Sequence, residues 1–353
     1  MSKDIVRFGI IGAGTIGAFH AQAIRAVDGA RLTAVFDSVA ERSRDFAAKH
    51  GIESYADLTA FLDKAPIDAV TVATPTGLHA SAAIPAARAG KHVLCEKPLD
   101  TTAAKAQSIV DACRQSGVIL SPVFQNRFGA GATAMKAAID AGRFGRLLFV
   151  SGKIKWLRTQ EYYDSGAWRG TWELDGGGCL MNQSIHTLDL MLHFAGAPAE
   201  VFGYTATRTH ARLEVEDNAC AVVRYASGAM GVIESSTSCA PGFPQQIEVS
   251  GERGTAAIEG DAIVRWQFAD TDPRDASILA AMGGNSLGSG ASDPKAIGIE
   301  GHRRQIEDMV GAILRGTRPA VDGAEAKLPV ELVCGIYESM RTGRPYRFGT
   351  AKG

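Results

Sequence analysis

Apolar and polar positions follow two different rhythms along this chain. From Val6 to Phe124, short unbroken apolar runs recur, each followed by a longer stretch with helical spacing. Val6–Ile11, Leu32–Phe36, Ala69–Ala73, Lys91–Cys95 and Val118–Phe124 read as strands buried on both faces, as in a parallel sheet. Between them lie helical runs from Ala18 to about Val27, up to Ala89, and from a cap at Asp100-Thr101-Thr102 to about Gln115. Strand–helix alternation of this kind predicts an α/β domain over residues 1–125.

Past Asn126 the period changes. One helix is expected from Ala132 to Ala141. Alternating segments follow at Leu147–Trp156, Val201–Thr207, Ala219–Tyr225, Ala229–Thr237, Gln246–Ser250, Ala256–Glu259 and Ile263–Phe268. Turn residues such as Ala226-Ser227-Gly228 and Gly251-Glu252-Arg253-Gly254 separate them. They predict an α+β domain over residues 126–353 with a large, mostly antiparallel open sheet. One face of that sheet should be polar or cover another subunit. Gly283–Ala291 reads as a surface excursion. His302–Leu314 and Ala324–Thr342 read as two late helices, candidates to pack back on the first domain.

Composition narrows the function classes. A net charge of -1 and 21% charged residues give no footprint for nucleic acid or an anionic membrane. No apolar run reaches the ~18 residues a membrane helix requires. The six cysteines are scattered, without a C-x-x-C pair or zinc-type spacing. They read as free thiols of a cytoplasmic protein, and no metal site is expected.

Chemistry enters at the strand ends. Gly12-Ala13-Gly14-Thr15-Ile16-Gly17 is G-x-G-x-x-G in its proper setting, between a strand and a helix. Gly12 permits the tight turn, Gly14 lets backbone approach a pyrophosphate, and Gly17 allows close helix–strand packing. The helix start at Thr15 and Ile16 then offers N–H groups to the phosphates. Asp37 lies 20 residues after Gly17, where a carboxylate accepts from ribose hydroxyls; it favours NAD over NADP. Arg42 and Arg44 follow closely and weaken that preference, since either could swing to a 2′-phosphate; the preferred reading leaves both exposed on the second helix. Thr74, Pro75, His79, Glu96 and Lys97 fall just past strand carboxyl ends, where such sheets bind ligands.

In the second domain, three glycines at Gly176–Gly178 lead into an apolar helical run. Its one polar face carries Asn182, His186, Asp189 and His193 at i, i+4, i+7 and i+11. A hydrogen-bonding stripe on a buried helix needs internal partners or a ligand. A satisfied core histidine and a catalytic helix both fit this stripe taken alone.

These motifs together resemble the glucose–fructose oxidoreductase / inositol dehydrogenase (Gfo/Idh/MocA) family. The likeness rests on Gly12–Gly17, Thr74–His79, Glu96-Lys97-Pro98, Trp168-Arg169-Gly170, Gly176–Asp189 and the tail EGHRRQIED…IYESMRTGRP. It implies a Rossmann domain followed by an α+β domain whose sheet forms a dimer or tetramer interface. It implies NAD(H) or NADP(H), and a sugar, polyol or sugar derivative as substrate. It carries the catalytic lysine to Lys97, often before a cis proline, and the catalytic histidine to His186. It places Arg127, Trp168 and Arg169 along the active site, Arg169 on the cofactor side. For Arg127 a substrate contact and a structural ion pair both stand. Trp156, Tyr162, Tyr163 and Trp172 are candidate faces for a sugar ring. Inositol dehydrogenase-like members have Asp four residues before the histidine. Asn182 stands there in this chain, which leaves the base role to His186 and gives Asn182 an orienting role. Asp189 joins Asn182, Arg127 and Trp168 as a substrate-side candidate, with local support as its other reading.

The resulting expectation is hydride transfer between nicotinamide and a secondary hydroxyl or ketone. Its rivals are transient oxidation by tightly held NAD, as in glycoside hydrolysis, a nucleotide-sugar dehydrogenase, and a redox-inactive NAD- or sugar-binding protein.

Overall fold

A computed structural model describes residues 5–281 and 298–349. The expected excursion at Gly283–Ala291 lies outside the described residues. The chain divides into two compact units, residues 1–125 with 299–327, and residues 126–298 with 328–353.

The first unit is built on a 6-stranded parallel sheet in the order β3-β2-β1-β4-β5-β6. Its strands are β1 (Val6–Ile11), β2 (Ala30–Phe36), β3 (Glu53–Tyr55), β4 (Ala69–Val72), β5 (His92–Cys95) and β6 (Leu120–Pro122). β4 is buried along its whole length, which is why it reads as an unbroken apolar run. The short β3 and the helix Leu58–Lys64 were not legible in the apolar pattern. β3 is a polar edge strand, exposed at Glu53 and Ser54, and carries no buried period. The helix Glu300–Arg315 completes this unit's core: Ile306, Met309 and Val310 pack with Phe8, Ile10, Ile24 and Leu94.

The second unit holds an 8-stranded sheet in the order β13-β12-β11-β7-β10-β9-β8-β14. The strands are β7 (Leu147–Lys155), β8 (Pro198–Ala206), β9 (Asn218–Tyr225), β10 (Met230–Ser236), β11 (Gln246–Gly251), β12 (Gly254–Glu259), β13 (Ala262–Phe268) and β14 (Tyr346–Arg347). All neighbouring pairs are antiparallel except β7 with β10. The helices Ile185–Ala195 and Leu328–Thr342 cover one face, the first against β7 and the second against β8. Gly152 allows the first to seat closely: a Cβ there would meet Met191 Sδ at 2.6 Å.

The opposite face carries exposed apolar residues where an antiparallel sheet usually turns polar. Phe149, Met230, Val232, Val222 and Tyr204 are all exposed. Register places Met230 beside Phe149 and Val232 beside Val222, so they form one continuous patch across β7, β10, β9 and β8. Among the described residues no helix is long and apolar enough to cross a membrane.

Candidate active-site residues

In the first unit the glycine turn has the shape its spacing demands. Gly12 has φ +108°, and a Cβ there would meet Ala73 O at 2.7 Å. At Gly17 a Cβ would meet Gly12 O at 2.2 Å, so the helix Thr15–Arg25 can lie on the turn only without a side chain there. Around Gly14 there is open space, and no side chain caps this helix start. Thr15 and Ile16 are exposed beside it. The turn is an uncapped, unobstructed cradle of N–H groups, which suits a pyrophosphate.

Asp37 ends β2 and is 7% exposed. Its Oδ2 accepts the Ala13 N–H at 2.9 Å and its Oδ1 the Val39 N–H at 2.9 Å. Arg42 reaches Asp37 Oδ1 at 3.2 Å, while Arg44 is exposed and makes no such pair. Arg42 thus does more than decorate the second helix. Thr74, past the end of β4, keeps a buried Oγ1 with no hydrogen-bond partner in the chain. Such an orphan at the expected nicotinamide end fits a bound cofactor. Pro75 opens the short turn Thr76–Leu78 beside it.

His79 is 1% exposed, with Nδ1 2.9 Å from Pro98 O and Nε2 3.0 Å from Thr74 O. Burial lowers its pKa against those hydrogen bonds, and a neutral ring donates to one carbonyl at a time. The ring ties the loops after β4 and β5 together.

Glu96 also has partners within this unit. Its Oε1 lies 2.8 Å from His20 Nε2 and 3.6 Å from His302 Nε2, while its Oε2 accepts the Lys97 N–H at 3.0 Å. His20 Nδ1 also contacts Thr71 Oγ1. His20, Thr71, Glu96 and His302 are all buried. Burial alone would raise the Glu96 carboxyl, but the two histidines outweigh it and hold it well below the ordinary carboxylate value. Burial also lowers His20. The two directions conflict only if His20 must be charged. A neutral His20 that donates from Nε2 to an ionised Glu96 and accepts from Thr71 satisfies both. His20, Glu96 and His302 bring ligand-type atoms within 4.8 Å of one another. The direct 2.8 Å contact is that of a hydrogen bond, closer than two ligands on one cation sit. The spacing of His20 and His302 in sequence gave no hint of this meeting. The Lys97–Pro98 bond is cis.

In the second unit the expected single helix is two pieces. Cys179–Gln183 is a turn of π-helix, and the regular helix starts at Ile185. The wide turn rotates Asn182 off the even stripe that sequence spacing predicts. Glu216 explains the turn. It is 3% exposed and accepts the N–H groups of Gly178 at 3.1 Å and Leu180 at 2.9 Å. It also accepts the Tyr337 hydroxyl at 2.9 Å. A Cβ on Gly178 would meet Glu216 O at 1.7 Å, and one on Gly177 the Tyr337 hydroxyl oxygen at 2.2 Å. The glycine triplet is therefore shaped around this carboxylate and tyrosine. Burial pushes the Glu216 carboxyl up to about 7, against the hydrogen bonds from Leu180, Tyr337 and Gly178.

Asn182 donates its side-chain amide to Asp175, and Gln183 Nε2 lies 3.4 Å from Asn182 Oδ1. His186 is half-buried on the first turn of the helix. Asp189 is fully buried and receives two parallel hydrogen bonds from Arg127, at 2.8 and 2.7 Å. The two form a buried ion pair, the structural alternative that the sequence left open for Arg127. His193, one turn on, is pushed down to about 4 by burial and by Arg127. Trp168 and Arg169 lie together, with the guanidinium 4.6 Å from the Trp168 ring. Of the ring candidates, Tyr163 is buried against Thr237 and His210, and Trp172 is exposed, edge-on to Tyr337. Trp156 and Tyr162 are half-buried. All six cysteines are free, and burial raises the thiols of Cys95 and Cys179 well above the ordinary value. Neither has the character of a nucleophile.

Comparison with known proteins decides the lineage. Residues 6–124 match the GFO_IDH_MocA oxidoreductase family with its NAD-binding Rossmann fold, and residues 132–257 match the GFO/IDH/MocA C-terminal domain. The chain is 31% identical to the inositol 2-dehydrogenase of Rhizobium meliloti over 343 residues, covering 96% of this chain and 98% of that one. This chain belongs to the Gfo/Idh/MocA oxidoreductases. It is also 27% identical to the myo-inositol 2-dehydrogenase of Thermotoga maritima, over 96% of this chain and 97% of that one. Among solved structures, the WlbA dehydrogenase of Bordetella pertussis, in complex with NADH and UDP-GlcNAcA, is 34% identical with a TM-score of 0.87. That match covers 98% of this chain and 99% of the other. The Rossmann unit is thus an NAD-binding one, and the Gfo/Idh/MocA architecture accounts for both sheets.

Proposed function

We propose that this chain is an NAD-dependent dehydrogenase that interconverts a secondary hydroxyl and a ketone on a sugar, a polyol or a sugar derivative. The observation that carries the reading is the unobstructed glycine turn closed onto Asp37, with the orphaned Thr74 Oγ1 one strand away. Gly12, Gly14, Thr15, Ile16 and Gly17 would hold the pyrophosphate and Asp37 the adenosine ribose. Thr74 and Pro75 would line the nicotinamide end. The bound cofactor supplies a hydride acceptor or donor at its nicotinamide C4.

The chain's own residues handle the proton and the developing charge. His186 takes the hydroxyl proton during oxidation and returns it during reduction. The Lys97 ammonium stabilises negative charge on the alkoxide oxygen, where a preorganised cation acts most strongly. Asn182, held by Asp175 and Gln183, orients a substrate hydroxyl without competing for the proton. Trp168 borders the substrate.

A nucleotide sugar is the second reading of the substrate. It is favoured by the likeness, over nearly the whole chain, to a dehydrogenase bound to UDP-GlcNAcA. The apolar outer face of the large sheet supports association of identical subunits, as a dimer or tetramer, through Phe149, Val222, Met230 and Val232. Six free thiols suit a cytoplasmic setting.

The experiment is a panel of polyols, free sugars and nucleotide sugars, followed through NADH absorbance after NAD and NADP affinities have been measured. Net NADH formation with any member supports the reading. Product formed without net NADH favours transient oxidation. NAD binding with no turnover of any member favours a redox-inactive sensor.

A further inference from the structure

The loop between β7 and the π-turn carries a cluster of hydrogen-bond donors, wholly within the second unit. Arg158 is 4% exposed; its Nη2 donates to Gln183 Oε1 at 3.0 Å and its Nη1 to Leu157 O at 2.8 Å. Its guanidinium lies 5.0 Å from the Trp156 ring centre and 5.4 Å from that of Tyr162. A second guanidinium, Arg169, lies 4.3 Å from the same Tyr162 ring, and its Nη1 donates to Tyr162 Oη at 2.6 Å. Gln183 Nε2 donates to that oxygen as well, at 2.9 Å. Tyr162 Oη accepts from both, and its own O–H remains a donor. The Trp156 Nε1 is buried with no hydrogen-bond partner.

Asp164 pairs with Arg212 at 2.9 Å. Asp175 accepts the Gly170 N–H at 2.8 Å and the Asn182 amide. Among the described residues no carboxylate lies within ion-pair distance of Arg169. Two guanidinium groups on one ring repel each other, and desolvation adds to the penalty. Burial, with Arg169 adding to it, lowers the Arg158 pKa although the neighbouring tyrosines oppose the shift. An indole N–H, a phenol O–H and the Arg169 fork all await the same kind of partner, an oxyanion.

We infer that Arg169, Tyr162 and Trp156, backed by Arg158, form a recognition site for an anionic substituent of the substrate. The substrate class is then an acidic sugar, a uronate or a sugar phosphate, free or nucleotide-linked, and not a neutral polyol. Asn182, joined to the cluster through Gln183, sets the substituent beside the π-turn that leads to His186. This deepens the dehydrogenase reading and rests on it.

The test is calorimetric titration of the NAD-loaded full chain with glucuronate, glucose 6-phosphate, UDP-glucuronate, glucose and myo-inositol. Wild type is compared with Arg169→Gln and Arg169→Lys. Preference for an acidic ligand over its neutral counterpart is expected, and Arg169→Gln is expected to reduce it about ten- to a hundred-fold, the range of a charge-assisted hydrogen bond. Arg169→Lys should recover part of the loss, because it restores charge without the planar fork. A carboxylate ligand that wins over glucose 6-phosphate identifies a uronate; the reverse order identifies a phosphate. Equal or tighter binding of glucose or myo-inositol would overturn the inference. So would an acid preference unchanged in Arg169→Gln with an unaltered melting temperature. Turnover of a neutral polyol with net NADH would sink this inference and leave the dehydrogenase reading standing.

Discussion

Asp37 Oδ2 receives the Ala13 N–H at 2.9 Å, so the carboxylate at the end of β2 also closes the glycine turn. One side chain fixes the turn and presents the remaining lone pairs to a ribose. Asp37→Ala should therefore raise the NAD dissociation constant about ten- to a hundred-fold, the cost of losing hydrogen bonds to a charged acceptor. Asp37→Asn should weaken NAD less and narrow the preference over NADP, because Arg42 would then face a neutral group. Titration with both cofactors reads this out; unchanged NAD affinity in Asp37→Ala would refute the ribose assignment.

Lys97→Met and His186→Ala should each lower turnover at saturating substrate by about two to four orders of magnitude, the usual worth of a positioned acid–base group. NAD affinity should change little in His186→Ala. Near wild-type turnover in either variant would remove that residue from the chemistry.

Glu96 is the centre of a buried His–Glu–His arrangement whose other oxygen holds the Lys97 N–H. Glu96→Gln keeps the volume but removes the charge that the histidines stabilise. It should lower kcat more than it raises substrate KM, because Lys97 is misplaced rather than lost. His302→Ala should act in the same direction, though the residue lies far along the chain from Lys97. A pure KM effect in both would count against positioning.

Acid–base linkage gives a prediction with a definite sign. Glu216 has its carboxyl pushed up to about 7 in the folded chain, from an ordinary 4.5. The folded state binds more protons than the unfolded state between those values. Its contribution to stability is therefore complete below about 4.5 and is lost as pH rises towards about 7. Across that window the loss amounts to about 3 kcal/mol. Glu216→Gln should flatten this part of the stability profile in chemical denaturation. His193, pushed down to about 4, acts oppositely: its share is lost as pH falls from 6.5 to about 4. Retention of the descending limb in Glu216→Gln would show that another group produces it.

Breaking the Arg127–Asp189 pair should be expensive. Asp189→Ala leaves a guanidinium buried without its two-bond partner, a loss of about 3–5 kcal/mol. Thermal melting would record it. A change of less than about 1 kcal/mol would mean that the pair contributes little net stability.

The sequence disclosed what periodicity and local rules encode. Buried parallel strands such as Ala69–Val72 announce themselves as unbroken apolar runs, and Gly12–Gly17 carries its own steric reason. The antiparallel strands of the second unit appeared with small shifts at their ends. Polar β3 and two-residue β14 lack a period to read. The π-turn at Cys179–Gln183 was also hidden, because its cause is Glu216, some forty residues downstream, and not its own spacing. His302 reads as an ordinary helix residue until the fold brings it to Glu96. Asp189 and Arg127 read as site candidates because one sequence cannot show which polar groups will pair with each other.

The helix Glu300–Arg315 supplies Ile306, Met309 and Val310 to a core whose other members, from Val6 to Val123, come from the first stretch of the chain. During synthesis the Rossmann strands therefore leave the ribosome long before the residues that finish packing them. The core of the nucleotide-binding unit can be completed only after most of the second unit has been made.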